Sequence, residues 1–155
     1  MHPIPFYLNK TGAAMITEKF PEKGVYLALR RPPRGSLVFL AKGYQNERHD
    51  RHTLENAIKS TFGRNSYKPV RLGKNRSVEL DDVTRLAVEF TTGRGIARKK
   101  WVGAIVPSPD GGPYGLLLVF GVYIGASKKS QNLDVLKDSV HQQLSQSFRL
   151  GSPEV

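Results

Sequence analysis

The sequence predicts an α+β domain, a three-layer α/β/α sandwich around a mainly antiparallel sheet with a C-terminal helix. Three observations carry this. Apolar residues alternate with period two in several stretches bounded by Gly and Pro, which is the signature of half-buried strands. Two stretches instead repeat their apolar residues at three- and four-residue intervals, as helices do. The run Tyr114 to Ile124 is apolar on both of its faces, so it must be covered on both and belongs at the centre of the sheet.

Residues 1 to 13, with Pro3, Pro5 and Gly12 and no usable period, read as an extended N-terminal arm. Val25, Leu27 and Leu29 then alternate within a strand over 25–31, and the Pro32-Pro33-Arg34-Gly35 turn leads into a second strand over 36–44, giving a hairpin. Leu54, Ala57, Ile58 and Phe62 line one face of a first helix over 52–62, with Asp50 beside its N-terminal dipole and Gly63 as its stop. The basic stretch 64–82 reads as turn-rich, with room for one short strand at its end.

Leu86, Val88 and Phe90 mark the next strand, and Thr92-Gly93-Arg94-Gly95 is a turn. Strands over 97–106 and 114–124 follow, joined by a Pro- and Gly-rich hairpin loop, so the three form a meander. Leu133, Leu136, Val140, Leu144 and Phe148 are the stripe of the closing helix, with Asn132 as its N-cap and Gly151 and Pro153 as its end. The domain accordingly spans 14–150, with a tail at 151–155. Either sheet face, where two helices leave it vacant, is a candidate partner surface.

The segment from Glu79-Leu80-Asp81-Asp82-Val83-Thr84-Arg85-Leu86 through the meander to Gln146-Ser147-Phe148-Arg149-Leu150 resembles PsbP-like domains, the grouping that includes the Ran-binding Mog protein. The resemblance covers roughly residues 77 to 150 and is one of pattern: a three-strand meander with a polar hairpin loop, then a helix closing on Ser-Phe. It carries no catalytic motif. It implies a non-enzymatic adaptor, chaperone or assembly domain acting through a protein partner.

Motif chemistry agrees with a non-enzyme. There is no cysteine, which removes thiol nucleophiles and thiolate metal sites. Gly93-Arg94-Gly95 lacks the third glycine of a dinucleotide fingerprint and precedes a strand rather than a helix. His49, Asp50 and His52 have metal-ligand chemistry, but as a solvated helix entrance they need no metal, and none is expected. No catalytic residue or cofactor is assigned.

Charge is the strongest functional hint: 24 Lys and Arg stand against 13 Asp and Glu, a net charge of +11. The candidate partner- or polyanion-binding residues are Arg30, Arg31, Arg34, Arg48, Arg51, Arg71, Lys74, Arg76, Arg94, Arg98, Lys99 and Lys100, with Lys68, Lys128 and Lys129 in the same class. Many fall at turns, which a sheet can group into a basic rim suited to an acidic protein. The alternative is sequence-nonspecific binding of nucleic acid or another polyanion through the same cations. The longest apolar run falls short of the roughly 20 residues that a spanning helix needs, so no transmembrane segment is expected. The opening MHPIPFYLNKTGAA lacks the features of a secretory signal, which favours the cytoplasm unless a leader has been removed.

Overall fold

The structure is a computed structural model describing residues 4–8, 14–15, 25–31, 36–63, 70–94, 98–124 and 133–151. Its strands are β1 (Phe6–Tyr7), β2 (Ala14–Met15), β3 (Val25–Arg31), β4 (Ser36–Gln45), β5 (Val70–Leu80), β6 (Val83–Thr92), β7 (Lys99–Pro107), β8 (Tyr114–Tyr123) and β9 (Arg149–Leu150). The helices are α1 (Arg51–Phe62) and α2 (Ser139–Ser147). One seven-stranded sheet has the order β2-β3-β4-β8-β7-β6-β5, and a two-stranded sheet pairs β1 with β9. Every neighbouring pair is antiparallel.

β8 occupies the middle of the sheet, and its two-sided greasiness is explained by the two cores that sandwich it. Leu117 and Val119 pack under α1 with Leu54, Ile58, Phe90 and Trp101. Leu116, Leu118, Phe120 and Val122 face the opposite side, with Val135, Leu144 and Phe148 from the C-terminal segment. The chain leaves β4, crosses as α1 and returns at β5 on the far edge, so α1 covers one face while β5 to β8 run as a meander. No helix among the described residues is long and apolar enough to cross a membrane.

Three glycines set how closely the α1 layer can sit. A Cβ on Gly121 would lie 2.1 Å from Trp101 Cε3, one on Gly115 2.2 Å from Tyr44 Cζ, and one on Gly103 2.9 Å from Ile58 Cδ1. Each glycine is thus a socket for the side chain above it. Trp101 fills its socket at 2% exposure and donates Nε1–H to Thr92 Oγ1 at 2.8 Å, satisfying the one polar group of the indole.

Several elements differ from the sequence expectation. The 64–82 region, read as turns and one short strand, contains an eleven-residue strand, β5, paired to β6 from Val70↔Thr92 to Leu80↔Val83. Its apolar period is hidden by a bulge between Leu72 and Asn75. One extra residue there turns the strand over, so Val70 and Leu72 pack on the α1 side while Val78 and Leu80 pack on the other. The β5–β6 turn is Asp81-Asp82, both at positive φ (55° and 59°), a two-residue turn made without glycine.

The closing helix is also interrupted. A 3-10 turn over Val135–Lys137 precedes α2, and Asp138, extended at φ −60° and ψ 134°, separates them. Asp134 accepts from Leu136 N–H at 3.0 Å and Asp138 from Val140 and His141 N–H at 3.2 and 3.4 Å, so each short helix has its own aspartate cap. Leu133, assigned to the buried stripe, is 43% exposed, while Val135 and His141, outside that stripe, are buried. α2 stops at Ser147 and the chain goes straight into β9 rather than continuing to Gly151.

Residues 4–8, within the expected arm, are packed onto the domain: Ile4 is buried, and β1 pairs Phe6 with Leu150 and Tyr7 with Arg149. Gly151, assigned to the tail, donates its N–H to Pro5 O at 2.8 Å. The Pro32-Pro33-Arg34-Gly35 turn, Gly95, the Lys128-Lys129 loop, Asn132 and Pro153 lie outside the described residues.

Candidate functional site

Strand direction decides where the cations go. β3, β6 and β8 finish, and β4, β5 and β7 start, at one end of the sheet, as the pairs Arg31↔Ser36, Val70↔Thr92, Thr92↔Lys99 and Lys99↔Tyr123 show. Neighbouring strands are about 4.8 Å apart, so charges at adjacent strand ends stand close together. Arg71, Arg94, Arg98, Lys99 and Lys100 gather there, and the backbone of Arg30 and Arg31 reaches the same end. The opposite end carries Glu47, Asp50, Asp110 and the Asp81-Asp82 turn. The sheet therefore has a basic end and an end enriched in acids.

Not all the candidate cations meet. Arg48 and Arg51 sit at the acid-enriched end, where β4 finishes and α1 begins, and Arg51 Nε is 3.0 Å from Glu55 while its Nη1 donates to Asn75. Lys74 and Arg76 lie midway along β5. Arg34 and Lys68 are outside the described residues.

The cations differ in how far the protein itself uses them. Arg76 Nη1 lies 2.5 Å from Asp134 Oδ1 and 3.3 Å from Glu89 Oε1, an ion triad joining β5, β6 and the segment before α2. The hydrogen bond from Arg76 holds the Asp134 carboxyl below its ordinary range, with the Leu136 N–H acting in the same direction, and the Arg76 guanidinium is held still more firmly charged. Lys99 places its ammonium 5.5 Å from the centre of the Trp101 ring, and Lys100 donates to Leu133 O at 2.9 Å. Arg71 and Arg94 are exposed, and Arg98 is half-buried with its carbonyl receiving Ile124 N–H at 3.0 Å.

His49, Asp50 and His52 do not converge. His49 lies 2.8 Å from the Tyr44 hydroxyl through Nδ1 and 3.0 Å from Gly112 O through Nε2. Because a carbonyl only accepts, Nε2 carries the proton on that side and the ring ties β4 to the β7–β8 loop. Burial pushes the Tyr44 phenol well above its usual range. Asp50 is the α1 cap, accepting from Thr53 N–H at 3.0 Å, and that bond holds its carboxyl below the ordinary value. His52 bonds Asn56 one turn along. Among the described residues there is no group of three or more His, Asp or Glu placed to hold a metal ion.

No family model matches the sequence, and no curated protein matches it. Among solved structures, the chain is similar to the solution structure of cyanobacterial PsbP from Synechocystis sp. PCC 6803, with a TM-score of 0.54 at 12% identity over 96% of this chain and 92% of that one. The fold is PsbP-like. The likeness first drawn from the C-terminal half of the sequence extends in three dimensions over nearly the whole chain, the basic N-terminal third included.

Within this PsbP-like fold, three features of the site have no local sequence signature. Tyr123 is 49% exposed at the basic end, directly across from Lys99, although its place in the central strand pointed to burial. The Arg76–Asp134 pair joins residues 58 positions apart, which no spacing rule connects. His141 is wholly buried, with Nε2 2.7 Å from Gly121 O and its ring edge-on to Phe120.

Proposed function

We propose that this protein is a non-catalytic binding or assembly domain that uses the basic end of its sheet to hold an acidic surface of a protein partner. The observation that carries the reading is the grouping of Arg71, Arg94, Arg98, Lys99 and Lys100 on neighbouring strand ends, opposite the end enriched in acids. A field of one sign at one end of a domain steers an oppositely charged partner and fixes its orientation. The PsbP-like fold supports the non-enzymatic part of the reading, as does the use of His49, Asp50 and His52 in holding α1 and its flanking loop.

The test is charge reversal, with Arg71→Glu, Arg94→Glu and Arg98→Glu combined. Wild-type protein retains a saturable partner from an extract of its source, and the variant loses that retention while keeping its thermal unfolding temperature. Equal retention by both proteins rejects the proposal.

A second reading, binding of single-stranded nucleic acid, is favoured by exposed Tyr123 beside Lys99, since a base can stack on the phenol while cations track the phosphates. It predicts tight binding of a random oligonucleotide that weakens steeply with salt and is reduced by Tyr123→Ala. Absence of oligonucleotide binding at low salt eliminates it.

A further inference from the structure

Among the described residues the sheet has two outer strands, β2 with two residues and β5 with eleven. An outer antiparallel strand points the N–H and C=O of alternate residues away from the sheet, where another strand can take them. The outer side of β5 is accessible: Gly73, Lys74, Asn75, Ser77 and Glu79 are all exposed. Past the bulge, Asn75 to Leu80 pairs with β6 in unbroken register, which gives six residues of regular backbone to build on.

A groove of about 880 Å³ lies on the α2 face next to this edge, crossing β5, β6 and β7 at Arg76, Glu89 and Lys100 and bounded by the Leu133-Asp134 segment. Its charge balance identifies what it suits. The two acids that line it, Glu89 and Asp134, are both taken up by Arg76. Lys74 in its wall is exposed and makes no ion pair among the described residues, and Arg71 is likewise exposed. Arg71 shares a cross-strand row with Lys100 through Thr91, so positive charge continues from the groove to the basic end of the sheet. A second copy of β5 would bring another set of these cations to the same seam, whereas an acidic strand would be attracted to it.

We infer that β5 is the seat of the partner, and that the partner supplies an extended acidic segment which adds to the 75–80 edge as a further strand. The segment's carboxylates on the α2 side face Lys74 and, beyond the bulge, Arg71, while Glu79 points to the other side. The inference rests on the protein-binding reading above and names its location and chemistry. Main-chain hydrogen bonds supply the pairing, and the cations select the charge of the incoming strand.

The experiment uses the full chain, isotope-labelled for NMR, and three short peptides: one alternating Glu and Val, the same peptide N-methylated at alternate residues, and one with Lys for Glu. The Glu peptide shifts the amides of residues 75–80 and slows their exchange, and N-methylation weakens it by about tenfold or more because the pairing donors are gone. The Lys peptide does not bind, and Arg71→Glu with Lys74→Glu abolishes binding of the Glu peptide while leaving the rest of the spectrum in place. Equal affinity of the N-methylated peptide, or shifts confined to Arg94 and Arg98, overturns the edge-pairing inference while the basic-end reading stands. Self-association through β5, or no binding of the Glu peptide at millimolar concentration, also overturns it. The charge-reversal retention assay then decides the protein-binding reading separately.

Discussion

On the α1 face of the sheet, glycines make room for large side chains, whereas the opposite face adds hydrogen bonds and an ion pair to its apolar core. Phe62, Phe90 and Trp101 form one aromatic cluster with ring centroids 5.1 to 6.1 Å apart, seated over the Gly121 and Gly103 sockets. Across the sheet, His141 bonds the carbonyl of Gly121 and Arg76 clamps Asp134. Gly121 serves both layers, with its missing side chain on one face and its backbone oxygen on the other. The α1 face is therefore fixed by shape and tolerates little change. The α2 face has its own apolar core, with Phe120, Val135, Leu144 and Phe148, and adds polar contacts to it; it is exposed along β5, where substitutions can alter binding with little effect on folding.

The sharpest way to break this contrast is Gly121→Val, which forces at least a Cβ into the Trp101 ring and is expected to cost about 3 kcal/mol in urea unfolding. A loss below about 1 kcal/mol would show that the aromatic layer can shift, and the contrast would fail. On the other face, His141→Leu keeps comparable bulk but removes the donor to Gly121 O, with an expected loss of about 2 kcal/mol by the same measurement.

A smaller effect is expected from Asp134. Its folded pKa lies below the unfolded value of roughly 3.9. Its contribution is therefore complete above about pH 4 and is lost as pH falls through the folded pKa. Both partners are partly solvated, so the pair contributes on the order of 1 kcal/mol after screening. Asp134→Asn should remove this amount at neutral pH and flatten the acid limb of the stability curve below about pH 4. An unchanged acid limb would mean that the triad does not hold the segment before α2. The smallest effect is expected for Lys74→Glu, which should leave stability within about 0.5 kcal/mol of wild type while weakening capture of the acidic peptide.

Legibility in the sequence followed burial. β3, β4, β6, β7, β8 and α1 were readable because each buries a face, and burial imposes a period of two or 3.6. β5 was not, because an edge strand shows much of itself to water and its bulge reverses the apolar parity between Leu72 and Val78. The closing helix gave its stripe correctly at Leu144 and Phe148 but not its start, since Asp134 and Asp138 each cap a separate turn. Of the candidate site, the residue types were visible and their grouping was not. Arg48 and Arg71 look alike in sequence, yet strand direction sends them to opposite ends.

By itself the sequence determined the α+β class, the central position of Tyr114 to Ile124, the first helix, and an excess of cations at connections. These are local consequences of hydrophobic period, turn residues and charge. Only the tertiary structure decided which cations share an end, that Arg76 is bound to Asp134 and Glu89, and that the basic stretch before the meander is a strand with an exposed outer edge. Each of those depends on which segments lie side by side. That is set by burying both faces of β8 together, and no single stretch of chain encodes it.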